Sequence, residues 1–284
     1  MSIKFITDSA SDMCEKDGVT VVPMTITFGN DEYKDGVTLS HREFYEKLIE
    51  SDELPRTSQV SPYDFETSIG EAVADGSEVI VVTMASGLSG TYQSAVMAAD
   101  KFDGVYVVDS ESVTIGEIIL IKYGMQLAKD GCSAAEIVEK LNECKKKIHI
   151  IALLDTLEYL KKGGRITPAA AAIGTVLNLK PVLQIQGEKL DAFAKARTTS
   201  QGKTMMINAI KKDINERFGG MTEDKHIWLQ IAYTHDRAAA EQFRTEVEAE
   251  FPGYDIHIDP LSLSVACHIG PGALALACCK KITV

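Results

Sequence analysis

The sequence contains no C-x-x-C pair among Cys14, Cys132, Cys144, Cys267, Cys278 and Cys279, and no cysteine at zinc-finger spacing from a histidine. That excludes the usual structural zinc frameworks, so no metal site is expected. Scattered thiols of this kind fit a reducing compartment, where cysteine serves as a small core residue. No apolar run approaches the roughly 20 residues that a membrane-spanning helix needs. The opening MSIKFITDSASD has neither the apolar stretch nor the small-residue cleavage site of a signal peptide. A cytoplasmic location is the expectation. Basic side chains are also scarce: 29 Lys and Arg stand against 41 Asp and Glu, a net charge of −12. Nucleic acid and anionic membrane surfaces both call for clustered Lys and Arg, so neither is an expected partner.

What is there is ordinary globular material. The chain has 284 residues, 45% of them apolar, enough for two domains. Short β-branched runs at 3–6, 79–83, 105–108 and 148–154 each end in a polar or Gly-rich turn, with helical stretches between them. Near-continuous apolar strands of this type indicate a largely parallel sheet. Helix starts are marked by Ser40, by Ser133 with Glu136 three residues on, and by Pro62 after Ser61. The second half differs. A helix at 168–179 precedes a hairpin of strands 181–186 and 190–194 around Gly187-Glu188-Lys189. A long helix at 199–218, a strand at 227–233, a helix at 236–250 and a short strand at 255–258 follow. The expected fold is α/β with two domains: a parallel three-layer α/β/α domain over 1–160, and an α/β domain with a mixed sheet over 161–284. The C-terminal tail has the option of packing on the first domain.

In open α/β sheets ligands bind beyond the carboxyl ends of the strands, so the turns there are the candidates. Thr7-Asp8-Ser9-Ala10-Ser11-Asp12 reads most simply as a strand end with helix capping. Arg56-Thr57-Ser58-Gln59-Val60-Ser61-Pro62 offers hydroxyls before a helix, suited to a carboxylate or phosphate as well as to capping. Ser86-Gly87-Leu88-Ser89-Gly90-Thr91 combines a strand, a Gly-rich turn and a helix start, an anion nest. It misses the G-x-S-x-G nucleophile elbow because its glycine falls one place early, and it misses the P-loop because no Lys follows. Gly202-Lys203-Thr204 imitates a P-loop ending, but Arg197 stands where the first Gly belongs and no strand immediately precedes it. Leu157 to Ile166 reads as a helix stopped by Lys161-Lys162-Gly163-Gly164, which leaves Arg165 unexplained. Of the six histidines (His41, His149, His226, His235, His257 and His268), His268 differs by lying in a turn, Cys267-His268-Ile269-Gly270-Pro271-Gly272-Ala273.

Taken in order, these segments resemble the DegV family. The resemblance is carried by Thr7 to Asp12, Thr57-Ser58-Gln59, Ser86 to Ala95, Leu157 to Ile166, Lys180-Pro181 and His268 to Ala273. Each is weak alone; the ordered set, spread over nearly the whole chain, is specific. It implies a two-domain protein with a long-chain fatty acid buried between the domains. It also implies service as the fatty-acid-binding subunit of a bacterial fatty acid kinase feeding phospholipid synthesis. A separate ATP-dependent kinase subunit then phosphorylates the bound carboxylate. By motif position, Thr57 and Ser89 meet the carboxylate, with Ser58 and Gly90 nearby and His268 completing the network. Arg165 is a candidate contact for the kinase subunit. Val60 departs from the pattern, since many members have Pro there.

On this reading the chain is a lipid-binding protein and not an enzyme. It has no catalytic residue and no cofactor of its own, with the fatty acid as ligand. Stretches 169–179 and 274–278 are candidate walls for the tail. The alternative is a self-contained hydrolase or phosphotransferase with Ser89 as nucleophile and His268 as base, which needs a third, orienting group such as Asp8.

Overall fold

The computed structural model describes residues 2–13, 18–51, 54–166, 179–185, 190–221 and 227–280. The expected helix at 168–179 lies outside them except for Leu179. The turn at 187–189, Cys14 and His226 also lie outside. The described chain forms two compact units. The first runs to Lys146 and regains Ser262–Val265; the second runs from Lys147 to Leu261 and resumes at Ala266.

In the first unit, β1 (Ile3–Asp8) and β2 (Thr20–Val22) precede a small antiparallel sheet. That sheet consists of β3 (Thr25–Phe28), β4 (Asp31–Lys34) and β5 (Arg56–Ser58), in the order β4-β3-β5. With β6 (Glu78–Thr83) and β7 (Val105–Asp109), β1 and β2 complete a four-stranded parallel sheet ordered β2-β1-β6-β7. Val79, Ile80, Val81 and Val82 are all fully buried. A strand apolar at every position is what a sheet covered on both faces requires.

Helices α1 (His41–Glu50) and α2 (Pro62–Val73) start at the caps the sequence marks. The Ser40 Oγ accepts from the Glu43 N–H and that of Ser61 from the Asp64 N–H. They are followed by α3 (Thr91–Ala99), α4 (Ile115–Lys129) and α5 (Ala134–Cys144), the last opened by the Ser133–Glu136 capping box. Two neighbouring residues of β1 establish the layers. The Lys4 ammonium donates to the Ala72 carbonyl of α2 (2.9 Å), while the Phe5 ring lies where a Cβ on Gly124 of α4 would come within 2.7 Å. Successive strand residues point to opposite faces, so α2 and α4 cover opposite sides. α3 packs beside α2, and α5 beside α4.

The second unit holds β8 (His149–Leu153), α6 (Glu158–Gly163), β9 (Lys180–Ile185), β10 (Leu190–Ala196), α7 (Thr199–Arg217) and β11 (Ile227–Tyr233). Beyond these come α8 (Arg237–Glu250), β12 (Ile256–Pro260) and β13 (Leu274–Lys280). The strands form a mixed sheet, β10-β9-β8-β13-β11-β12, in which β11 and β12 pair in parallel and the other neighbours are antiparallel. The hairpin β9–β10, the long helix α7 and the β11-α8-β12 run agree with the sequence reading. Ile151 and Leu153 of β8, Leu229 and Ile231 of β11, and Leu274 and Leu276 of β13 build one core with Ile207, Ile210, Phe243 and Val247 of α7 and α8.

Several expectations need correcting. Segment 56–62 is not a single polar turn, because Arg56–Ser58 is the edge strand β5 paired to β3. His268 is not in a turn. It belongs to a short helix, α9 (Leu263–Ile269), which opens with residues of the first unit and closes with residues of the second. Residues 274–278 do not form one uniform wall. They lie in the interior strand β13, where Leu274, Leu276 and Cys278 join the core beneath the helices. By alternation, Ala275, Ala277 and Cys279 take the opposite face, and they too are buried.

The P-loop imitation also finds its explanation. Gly202 lies in α7 against β8, and a Cβ there would fall 2.5 Å from the buried Leu153 side chain. Its glycine serves close helix–sheet packing. Gly202→Ala is expected to lower stability by about 1 kcal/mol in urea denaturation. The overpacking cost of roughly 1–3 kcal/mol exceeds the helix-propensity gain of about 1 kcal/mol.

Candidate functional site

In the first unit the candidate head-group residues come from two segments that the fold brings side by side. Thr57 and Ser58 lie on β5, where Thr57 pairs with Ile26. Ser89 and Gly90 close the turn after β6 and lead into α3. Gln59 joins the segments. Its amide donates to Ser94 Oγ (3.0 Å), and its Oε1 occupies the space beside Gly90, only 2.0 Å from where a Cβ would be. Any side chain at position 90 would therefore displace the Gln59 amide from this position.

The turn itself is tightly tied. Leu88 and Ser89 N–H both donate to the Ala85 carbonyl (3.0 and 3.2 Å), and Ser86 N–H reaches the Asp109 carboxylate (3.2 Å). Ser89 Oγ lies 2.9 Å from Thr91 Oγ1 and accepts from the Thr91 N–H at 3.3 Å. The N–H groups of the first turn of α3 have no carbonyl within the helix to bind. Hydroxyls and amides gathered at a helix start favour an anion. Val60 adds a detail specific to this chain. Its buried N–H donates to Thr91 Oγ1 at 3.4 Å, a bond that a proline could not make.

The Thr7 to Asp12 motif takes a structural part. Asp8 is fully buried, and its two oxygens accept the N–H groups of Ala10 and Met84, both at 2.9 Å. Burial pushes its pKa up to about 6 against those hydrogen bonds, with Asp35 adding a smaller push. Asp8 thereby ties the end of β1 to the turn after β6, which leaves it unsuited to orient a catalytic histidine. Glu117 of α4, also fully buried, accepts the Thr114 N–H (3.2 Å). Its pKa is raised well above the ordinary value by burial first and by Asp8 second.

In the second unit, two motifs far apart in sequence form one packed structure. The turn after α9 lies against α6 and the segment before it. A Cβ on Gly270 would meet the Tyr159 ring at 2.4 Å, one on Gly163 would meet His268 Nδ1 at 2.5 Å, and one on Gly272 would meet Asp155 Oδ2 at 2.5 Å. Three glycines thus allow three close approaches. Arg165, beyond the Gly164 stop of α6, turns back so that its guanidinium donates to the Gly163 carbonyl (2.5 Å). Burial, and secondarily the nearby Arg165 charge, hold the His268 pKa down to about 4. His268 is therefore a neutral imidazole at neutral pH, with one donor and one acceptor nitrogen.

Thr57, Ser58, Ser89 and Gly90 are thus assembled in the first unit, and His268 and Arg165 in the second. The sequence reading missed Asp35 and Glu117. A lone Asp before Gly36 reads as a turn, and Glu117 sits in a helix with no local mark of burial. Among the described residues no group of His, Cys, Asp or Glu is arranged to hold a metal ion, and no helix is long and apolar enough to cross a membrane.

Fold and motifs together define a two-unit α/β protein with a hydroxyl-rich turn at the carboxyl end of a parallel sheet. The chain belongs to the DegV family, whose model, described as "Uncharacterised protein, DegV family", matches residues 2–281. A DegV domain-containing protein of Deinococcus radiodurans is 31% identical over 282 residues, covering 98% of each chain. Among solved structures, a DegV family protein from Thermus thermophilus, reported as fatty-acid-binding, superposes with a TM-score of 0.90. It is 31% identical, over 99% of this chain and 100% of that one. A stearic acid-binding protein from Eubacterium ventriosum gives a TM-score of 0.88 at 27% identity over 99% of both chains.

Replacing Arg165 by Gln is expected to raise the His268 pKa, measured by NMR titration of the ring, because a positive neighbour disfavours the imidazolium. The folded-state value lies below the ordinary 6.5. The contribution of His268 to stability is therefore fully present above about pH 6.5 and is lost as pH falls toward 4, by at most about 3 kcal/mol. Arg165→Gln should shrink that loss.

Proposed function

We propose that this chain binds one long-chain fatty acid and presents its carboxylate to a separate ATP-dependent kinase subunit. The head group is received by Thr57, Ser58, Ser89 and Gly90. His268, the neutral imidazole of the second unit, is proposed as a further donor, and Arg165 as a contact for the kinase subunit. The observation that carries this reading is the joining of the β5 hydroxyls to the Ser89–Gly90 turn by Gln59. The Thermus thermophilus and Eubacterium ventriosum proteins, similar over nearly their full lengths, support the choice of ligand.

The energetics suit a carrier. A C16 chain carries about fourteen methylenes, and at roughly 0.8 kcal/mol each their burial is worth on the order of 11 kcal/mol before ordering costs. The small side chains of Ala275, Ala277 and Cys279, on the face of β13 turned from the helices, are proposed as wall for the tail.

The carboxylate sets the stricter demand, because burial without partners is costly. Neutral hydroxyls and N–H groups hold it without neutralising it, so it stays nucleophilic. In the proposed step a carboxylate oxygen attacks the γ-phosphorus of ATP and the bond to the β–γ bridging oxygen breaks. Acyl phosphate and ADP are the products. ATP and its activating groups belong to the partner, and the proposed setting is the cytoplasm.

Native mass spectrometry of the purified chain tests the carrier directly. A co-purifying mass equal to a fatty acid is expected, and no bound lipid even after incubation with palmitate or oleate would overturn the reading. Ser89→Ala and Thr57→Val should each weaken palmitate binding roughly three- to tenfold, the worth of one hydrogen bond. Ser89→Ala should also slow acyl-phosphate formation with kinase subunit and ATP. Ester turnover by the chain alone, abolished by Ser89→Ala, would instead favour the hydrolase.

A further inference from the structure

Among the described residues the chain returns to the first unit at Ser262–Val265, and these residues lead into the helix that carries His268. What holds them there is specific. Three successive backbone N–H groups, at the helix start where no internal partner exists, are taken by two carboxylates. Asp12 Oδ1 accepts from Ser262 (2.5 Å), Asp35 Oδ1 from Leu263 (3.2 Å) and Asp35 Oδ2 from Ser264 (3.0 Å). Asp35 is only 4% exposed and also accepts from Ser9 Oγ (2.9 Å), which in turn accepts from the Met24 N–H (3.1 Å). The Thr7 to Asp12 motif, left without a ligand role above, supplies both Asp12 and Ser9 to this clamp. Ser262, Leu263 and Ser264 are themselves buried.

His268 is the sixth residue of the same seven-residue helix. At 1.5 Å rise per residue it lies roughly 6 Å along the axis from Ser264, too short a span for the helix to absorb a displaced start. Its other side is fixed by the close packing on Gly163 and, past the helix, of Gly270 on Tyr159. The imidazole is thus held from the clamped N-terminus of its helix as well as from beneath its ring.

We infer that Asp35, with Asp12, is a positioning residue that sets the His268 imidazole by fixing the start of the Leu263–Ile269 helix. The effect on ligand rests on the fatty-acid reading; the effect on the imidazole does not.

The experiment is a double-mutant cycle on the delipidated full-length chain, read by palmitate calorimetry and by NMR of labelled histidine rings. The His268 signal is assigned by its loss in His268→Ala. Asp35→Asn retains one acceptor oxygen in place of two. It should shift the His268 ring signal and weaken palmitate binding roughly three- to tenfold. On the His268→Ala background the loss caused by Asp35→Asn should shrink to within about twofold, because residues acting through one another are not additive. Ile80→Val, which trims the core of the same unit, controls for lowered stability and should leave the ring signal in place. An unmoved His268 signal in Asp35→Asn, or an equal loss of affinity on both backgrounds, overturns the inference. If the wild-type chain binds no palmitate, the functional reading fails and the ring signal alone decides the positioning role.

Discussion

Buried backbone N–H groups must find acceptors inside the protein, and in the first unit buried and half-buried carboxylates supply several that no backbone carbonyl does. Asp8 takes the N–H groups of Ala10 and Met84, Glu117 that of Thr114, Asp35 those of Leu263 and Ser264, and Asp12 that of Ser262. The contacts to Ala10 and Thr114 are local, whereas those to Met84 and to Ser262, Leu263 and Ser264 tie segments far apart in sequence. The consequence is electrostatic. Burial raises the pKa of Asp8, Asp35 and Glu117 above ordinary values, with the hydrogen bonds working against it at each.

That arrangement bears on the head group. A unit that already buries carboxylates is a poor host for another unless the newcomer brings its own donors into play. The Ser89–Gly90 turn and the β5 hydroxyls are the donors proposed for that role, and they are separate from the N–H groups that serve Asp8. The Met84 N–H, one residue past β6, is committed to Asp8. The hydroxyls of Thr57, Ser58 and Ser89 are drawn from the antiparallel sheet and from the start of α3. Gln59 is the joint between the two sources, and the absence of a side chain at Gly90 lets it fit.

How much of this the sequence discloses depends on whether the cause of a feature is local. β6 and β8 are plain in the sequence because strands buried on both faces must be nearly continuously apolar, and β1 and β7 because short β-branched runs lead into polar turns. The caps at Ser40, Ser61 and Ser133 are plain because acceptor and donor lie three residues apart. β5 is hidden because Arg56-Thr57-Ser58 is polar and pairs at a sheet edge, where no hydrophobic pattern is imposed. The helix bearing His268 is hidden for a different reason. Its start is satisfied by Asp35 and Asp12, 228 to 250 positions away, so no nearby residue announces it. The candidate residues themselves stood out because polar residues at strand ends are conspicuous. Their partners Gln59 and Asp35 act through space, and their roles become clear only once the chain is folded.

The same logic separates a carrier from a self-contained enzyme. A hydrolase needs its nucleophile poised beside a base, with a third group orienting that base. Here Ser89 Oγ is engaged by Thr91 through both its hydroxyl and its N–H, and Asp8 is bound into the sheet end. Burial and Arg165 hold His268 at about pKa 4, far from the value near 7 that suits a general base. A neutral imidazole of that kind is poorly suited to abstract a proton yet well suited to donate a hydrogen bond to a carboxylate without transferring charge. Holding an anion while leaving it reactive calls for neutral donors, which is the role proposed for His268 and for the hydroxyls of Thr57, Ser58 and Ser89. The chemistry of these groups suits the proposed presentation of a carboxylate better than self-contained hydrolysis.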